Sequence, residues 1–140
     1  MTVEPYLFFE GRCEEALRFY EKALGAKIGM VMKYKDSPDK PPEGMLPPNS
    51  GEKVMHSEMQ VGESRVFCSD GGCTGKSTSG DFSLSLCVKT TEEVDKLFNA
   101  LADGGQVTMP PVQTFFSPRF GMVQDKFGVN WMVLVEHEAK

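Results

Sequence analysis

The sequence predicts an α+β fold built from two tandem βαβββ modules. Three observations support this prediction: the chain holds two amphipathic helical segments, short apolar segments typical of strands surround each of them, and both halves of the chain have the same segment order. The chain has 140 residues, which is a usual size for one domain, so we expect a single domain spanning 1–140.

The first module is expected over about residues 3–70. Strands are predicted at 3–9, about 26–34, 54–61 and 64–69. The helix is predicted from apolar residues spaced along one helix face, namely Ala16, Phe19, Tyr20, Ala23 and Leu24. Gly11 stands at the predicted start of this helix and Gly25 at its predicted end. The last two strands are separated by Gly62-Glu63, which predicts a tight hairpin.

The second module is expected over about residues 80–137 and repeats this order. A strand is predicted over 82–88, and Thr90 with Glu93 forms a capping-box pattern before the second helix. The apolar face of that helix consists of Val94, Leu97, Phe98 and Leu101. Gly104-Gly105 ends the helix, and three short strands are predicted at about 106–116, 119–124 and 130–136.

The two halves also correspond in sequence. Glu14-Glu15 aligns with Glu92-Glu93, and Phe19-Tyr20 aligns with Leu97-Phe98. We interpret this as an internal duplication, and because each half is too short to close a core alone, the halves are expected to pack together or with those of a second chain. Residues 35–53 form a polar loop with five prolines, a pattern typical of a lid, a contact loop or a disordered segment.

Composition and charge exclude several classes of function. The formal net charge is −5 and there is no cluster of Lys and Arg, so nucleic-acid binding is not expected. No apolar stretch approaches the length of a membrane span. The first five residues lack the basic segment and apolar core of a secretory signal, and the four cysteines are expected to be reduced thiols. We therefore expect a cytoplasmic protein.

Four segments, taken in order, carry a resemblance to a known family. They are PYLFFEGRCEEALRFYEKALGA, MHSEMQVGESRVFCSDG, FSLSLCV and VQTFFSPRFGMVQDKFGVNWMV. Together they resemble the PhnB-like branch of the vicinal oxygen chelate superfamily, which includes glyoxalases, extradiol dioxygenases and bleomycin-resistance proteins. The resemblance covers nearly the whole chain outside 35–53. It implies curved antiparallel sheets around a cleft, and it implies a homodimer.

The resemblance also identifies four positions where the metal-dependent members of the superfamily place ligands for a divalent ion. Here these positions are Tyr6, Cys68 with an alignment uncertainty of one residue, Ser83 and Met132. These four side chains do not form the oxygen-rich or nitrogen-rich site that Mg²⁺, Mn²⁺ or Fe²⁺ prefers. No metal and no other cofactor is therefore expected at this site.

His56 and Glu58 are further candidates because they lie two residues apart on a predicted strand, and so on one face of it. They could form the polar wall of a ligand cavity or part of a shifted metal site. The alternative is a strand surface that faces solvent or a second copy of the chain.

Three more residues have both a functional and a structural interpretation. Arg119, between two aromatic residues, could bind an anionic substrate or could hold a loop in place. Trp131 could stack on a ligand or belong to the core. Cys68 could be a nucleophile with His56 as its base, although a buried and inert thiol is the better interpretation.

The leading hypothesis is a metal-free protein of unassigned activity that binds a small molecule in the cleft between its modules. The alternative is a divalent-metal-dependent lyase, isomerase or dioxygenase with a shifted site near His56 and Glu58, and a third possibility is association with a protein partner. Proteins of this branch are sometimes labelled demethylubiquinone methyltransferases. We do not expect that activity, because no strand is followed by the glycine-rich turn and helix that would hold a nucleotide-like cofactor.

Overall fold

A computed structural model describes residues 1–38, 46–73 and 82–136. The chain divides into two units, Met1–Ser77 and Thr78–Lys140. In the described residues, each unit holds one α-helix and one open four-stranded sheet. The predicted α+β fold of two tandem βαβββ modules is therefore confirmed, while their joining into one domain remains a prediction.

The first unit follows the predicted order. Its elements are β1 (Tyr6–Phe8), α1 (Cys13–Leu24), β2 (Lys27–Lys33), a short 3-10 helix (Tyr34–Asp36), β3 (Val54–Val61) and β4 (Ser64–Ser69). The strand order in the sheet is β1-β4-β3-β2. Strand β1 is parallel to β4, whereas the other neighbouring strands are antiparallel.

The second unit repeats this topology. Its elements are β5 (Leu84–Val88), α2 (Thr91–Ala102), β6 (Gln106–Val112), β7 (Phe120–Gln124) and β8 (Asn130–Val135), with the sheet order β5-β8-β7-β6. Strands β5 and β8 are parallel. The prediction of antiparallel sheets is therefore wrong in one respect, because in each unit the last strand returns beside the first and runs in the same direction.

The two helices begin in different ways. At α2 the predicted cap is confirmed, since the backbone N–H of Glu93 donates to Oγ1 of Thr90 over 3.1 Å. At α1 the predicted cap at Gly11 is wrong, because Arg12 occupies the N-cap and makes no side-chain capping bond. The carboxylate of Asp70, just after β4, accepts instead from the backbone N–H groups of Gly11 and Cys13.

Each helix packs its apolar side on strands of its own sheet. The buried residues of α1 are Cys13, Ala16, Leu17 and Tyr20, and those of α2 are Val94, Phe98 and Leu101. Burying a large apolar side chain contributes roughly 1.5–3 kcal/mol. The helix therefore fixes which side of each sheet belongs to the core.

Part of the predicted loop lies outside the described residues. Residues 39–45 lie outside the described part of the chain. For this stretch of the 35–53 loop, a lid, a contact loop and a disordered segment all remain predictions. The described remainder joins β2 to β3: the backbone N–H of Tyr34 donates to the carbonyl of Lys53, and that of Lys35 donates to Gly51. In the described part of the chain, no helix has the length and apolar character to cross a membrane.

Candidate functional site

The side of the first sheet that faces away from α1 carries a cluster of rings. We call Tyr6, Phe8, His56 and Phe67 the aromatic face. Tyr6 is in register with Phe67, and alternation along β1 puts Phe8 on the same side as Tyr6. The rings of Tyr6 and Phe8 stack with 4.9 Å between centroids, and the Phe67 centroid lies 5.7 Å from Tyr6 and 5.4 Å from His56. Tyr6 is 38% exposed and Phe8 is 55% exposed, so the cluster is accessible.

Tyr6 and His56 form a hydrogen-bonded pair within this face. The Tyr6 hydroxyl lies 2.9 Å from Nδ1 of His56. Burial raises the pKa of the Tyr6 hydroxyl above its usual value, and the Ser69 hydroxyl opposes that shift. The hydroxyl therefore keeps its proton at neutral pH, and its contact with Nδ1 leaves Nε2 as the ring nitrogen of His56 that does not face Tyr6.

Charged side chains border one end of the aromatic face. Nη2 of Arg65 donates to both carboxylate oxygens of Glu4 at 3.0 and 3.1 Å, and Nη1 lies 3.9 Å from Oε2 of Glu58. The Arg65 guanidinium also sits 5.0 Å from the centroid of the Phe67 ring. Lys27 joins Glu58 and Arg65 in lining a shallow cavity of about 160 Å³. Two cations and two carboxylates thus balance at this end.

The buried side of β3 explains why His56 and Glu58 face outward. Ser57 is fully buried and its hydroxyl donates to the carbonyl of Cys68 over 2.7 Å, and Met59 is also buried. Because successive side chains alternate along a strand, His56 and Glu58 point to the opposite side. Gly29 on β2 leaves room for the Glu58 side chain, since a Cβ there would lie 3.2 Å from Cγ of Glu58.

Cys68 does not join the aromatic face. Its side chain is fully buried on the same side of the sheet as Leu7, its partner in the β1–β4 register, and Ser57. The residue beside Tyr6 is instead Phe67, which falls within the one-residue uncertainty of the alignment. Burial raises the pKa of the Cys68 thiol strongly and raises that of Cys13 to about 12. Both thiols stay protonated at neutral pH, and a protonated thiol is a poor nucleophile.

This burial leads to a direct prediction for thiol chemistry. Two of the four cysteines, Cys73 and Cys87, are expected to react with DTNB at pH 8 in the native protein, because Cys13 and Cys68 are buried. All four should react in guanidinium chloride. The measurement is the released thiolate absorbance in each condition. A Cys68→Ala variant should leave the number of thiols that react in the native protein unchanged. A lower number would show that Cys68 is accessible and reactive.

The second unit has its own pocket on the side of its sheet that carries Met132. The pocket measures about 340 Å³ and is lined by Phe82, Ser83, Thr108, Met122, Val123, Asn130, Trp131 and Met132. It brings together Ser83 and Met132, two of the positions that the resemblance identified. Its lining offers hydroxyl and amide groups together with the thioethers of Met122 and Met132, which stand opposite each other across β7 and β8.

Trp131 and Arg119 both make structural contacts in this unit. Trp131 borders the pocket but is only 4% exposed. Its Nε1–H donates to Oδ2 of the buried Asp125 over 2.9 Å. Arg119 lies just before β7, and its Nε donates to Oδ1 of Asp95 on α2 over 2.5 Å. The guanidinium therefore ties the loop before β7 to the helix, which is the structural interpretation of this residue.

The residues at the superfamily ligand positions do not suit a divalent ion. On the aromatic face, Tyr6 stands beside Phe67, which has no donor atom. His56 directs Nδ1 at the Tyr6 hydroxyl, and Glu58 lies beside the cation of Arg65. No group of three His, Cys, Asp or Glu side chains within ligating distance occurs among residues 1–38, 46–73 and 82–136. Hard divalent ions need several oxygen or nitrogen ligands, which this donor set does not supply.

Comparison with known proteins establishes the family. The family model described as 3-demethylubiquinone-9 3-methyltransferase matches residues 1–134. The chain belongs to this family. Protein YjdN of Escherichia coli K12, one of its relatives, is 34% identical over 142 residues, covering 96% of this chain and 95% of YjdN.

Solved structures extend the comparison. Protein PA1353 of Pseudomonas aeruginosa is 37% identical with a TM-score of 0.84, covering 99% of both chains. A Bacillus cereus protein, described as a putative 3-demethylubiquinone-9 3-methyltransferase and PhnB protein, is 28% identical with a TM-score of 0.77 over 96% of this chain and 99% of its own. The PhnB-like resemblance is thus confirmed.

More distant structures show the superfamily fold. A glyoxylase/bleomycin resistance protein/dioxygenase domain from Frankia sp. EAN1pec has a TM-score of 0.66 at 16% identity, covering all of this chain and 95% of its own. At this identity the match shows similarity of fold alone. This chain therefore has the glyoxalase/bleomycin-resistance fold that the four sequence segments indicated.

Sequence reasoning missed two members of the aromatic face, Phe8 and Phe67. Phe8 could have been found from alternation, since it lies two residues after Tyr6 on the same predicted strand. Phe67 was missed because the alignment was placed one residue later, on Cys68. A shift of one residue along a strand exchanges its two faces.

Proposed function

We propose that this chain binds a small organic molecule on the aromatic face of its first unit, without a metal ion. The observation that carries the proposal is the set of accessible rings around the Tyr6–His56 pair. Exposed aromatic side chains grouped around a few polar groups are typical of ligand sites, in which rings supply contact area and the polar groups fix orientation. Tyr6, His56 and Glu58 act here as binding residues.

We propose Ser83 and Met132 as binding residues of a separate site, the pocket of the second unit. The predicted homodimer and the predicted cytoplasmic location belong to the same proposal. Free thiols at all four cysteines fit a reducing compartment.

A divalent-metal enzyme using His56 and Glu58 is the alternative function, and the site residues support it less well. A cation beside Glu58 competes electrostatically with any metal ion for that carboxylate. We therefore assign no reaction step to a metal.

The family label names a methyltransferase, and we do not carry that activity to this chain. A nucleotide-like cofactor is commonly held where a parallel strand leads through a glycine-rich turn into a helix. In the first unit the turn between β1 and α1 contains one glycine, Gly11, and its backbone N–H is already bonded to Asp70. These residues do not fit such a cofactor.

A binding experiment tests the proposal. Small amphipathic compounds are first screened by thermal shift, and the best compound is then titrated by calorimetry into the wild-type protein and Tyr6→Ala. We expect Tyr6→Ala to bind about tenfold more weakly, because it removes a stacking ring and the hydroxyl partner of His56.

Phe115→Ala serves as the matched control, since Phe115 is 97% exposed and lies in the other unit. The affinity of this variant for the compound should equal that of the wild-type protein. The metal content of the purified protein is measured in parallel. About one tightly held ion per chain, lost in His56→Ala, would overturn the proposal in favour of the metal enzyme.

A further inference from the structure

The charges around the aromatic face indicate which class of ligand it suits. Arg65 is bonded to Glu4 at 3.0 and 3.1 Å and lies 3.9 Å from Glu58, with Lys27 close to the same cavity. The charges of Arg65, Glu4 and Glu58 therefore already pair with one another, and Lys27 is exposed to solvent. A charged ligand would lose hydration on binding and would have to displace Arg65, Glu4 or Glu58 from its partner to pair with this group.

The rings themselves favour a flat ligand. Tyr6 and Phe8 are stacked with 23° between their planes, and Phe8, at the end of the pair, is 55% exposed. Phe67 and His56 extend the ring surface, with centroids 5.4 Å apart. A further aromatic ring can pack on such a surface by offset stacking or edge-to-face contact, which contributes beyond simple area burial.

The contact with Tyr6 determines which ring nitrogen of His56 can bond to a ligand. The Tyr6 hydroxyl lies 2.9 Å from Nδ1 of His56, and in the tautomer in which Tyr6 donates to Nδ1 the imidazole proton is on Nε2. Among the residues that the structure describes, Nε2 has no hydrogen-bond acceptor. This donor is therefore available to an acceptor atom on a ligand, such as an amide or ketone oxygen.

We infer that the ligand of this face is an uncharged, planar aromatic compound with a hydrogen-bond acceptor at its edge. The inference rests on the proposed function, because it names the ligand class of the same site. The rings contact the flat face of the compound, and Nε2–H of His56 donates to its acceptor. Tyr6 is a positioning residue for this bond, because its hydroxyl pairs with Nδ1 and leaves Nε2 for the ligand.

Four matched probes test the inference: benzamide, benzoate, benzylammonium and cyclohexanecarboxamide. Each is titrated into the full chain at neutral pH, and binding is followed by ligand-observed NMR. Benzamide is expected to bind in the millimolar range that suits a fragment of its size. The aliphatic amide should bind about threefold to tenfold more weakly because it cannot stack. Both charged probes should bind more weakly than benzamide.

Variants separate the contributions of the donor and the rings. His56→Phe keeps a ring but removes the donor, so benzamide affinity should fall about fivefold. Phe8→Ala should reduce the preference for benzamide over the aliphatic amide. Phe115→Ala should change neither the affinity for benzamide nor this preference. Circular dichroism checks that each variant is folded.

The outcomes distinguish this inference from the proposed function. If a charged probe or the aliphatic amide binds as tightly as benzamide, or if His56→Phe has no effect, the inference is overturned while a binding face remains. If no probe binds and the thermal-shift screen finds no ligand, both the inference and the proposed function are overturned.

Discussion

Asp70→Ala is expected to lower the free energy of unfolding by about 3–5 kcal/mol. Asp70 is 1% exposed, and its carboxylate accepts three backbone hydrogen bonds: from Gly11 at 3.0 Å, from Cys13 at 2.7 Å and from Val54 at 2.7 Å. Alanine would leave the buried N–H groups of Cys13 and Val54 and the partly buried N–H of Gly11 without their acceptor. The bonds also join the start of α1 to the start of β3, so their loss should loosen the support of the aromatic face.

Urea denaturation followed by circular dichroism measures this effect. Asp70→Asn keeps one acceptor oxygen but places an amide donor against a backbone N–H, so an intermediate loss is expected. Asp103→Ala is the matched control, because Asp103 is an exposed residue at the C-cap of α2 and should change stability by less than about 0.5 kcal/mol. A loss below about 1 kcal/mol in Asp70→Ala would contradict the structural role of this carboxylate.

Gly105→Ala is expected to destabilise the second unit by about 3 kcal/mol. A Cβ at this position would overlap the backbone carbonyl oxygen of Gln124 and would lie 3.0 Å from the backbone carbon of Asp125. Backbone atoms of a paired strand cannot rotate away as a side chain can. The methyl group can therefore be accommodated only if the turn after α2 separates from the end of β7.

Thermal denaturation compares this variant with Gly51→Ala. At Gly51 the nearest atom to an added Cβ is Cβ of Lys35 at 3.4 Å, which is ordinary contact, so this control should melt within a few degrees of wild type. An unchanged melting temperature in Gly105→Ala would show that the α2–β6 turn tolerates displacement.

Local patterns in the sequence were sufficient to predict most elements of the fold. The bounds of β3 and β4 agree with the predicted 54–61 and 64–69, because Gly62-Glu63 marks the turn and the flanking residues alternate. Strand β1 is shorter than the predicted 3–9, since its apolar pattern continues beyond the residues that pair with β4. The parallel pairing of β1 with β4 could not be read from local patterns, because it joins segments far apart in the chain.

The candidate site was predictable where alternation along one strand was enough. His56 and Glu58 share the predicted face of β3, and Tyr6 lies beside them on the same side of the sheet. The partner of Arg119 was not predictable, because Asp95 is 24 positions away in sequence and nothing local couples them. The cap of α1 was missed for the same reason, since Asp70 follows Cys13 by 57 residues.

Three of the sheet edges are poorly suited to edge-to-edge strand pairing with other chains. Strand β6 lies at the edge of its sheet, contains Pro110 and Pro111, and has two register irregularities against β7. Proline has no N–H to offer an incoming strand, and an irregular edge cannot template one. In the first sheet, β2 is an irregular edge and β1 is only three residues long. The chain can thus expose an aromatic sheet face while the edges formed by β1, β2 and β6 remain poor starting points for fibril growth.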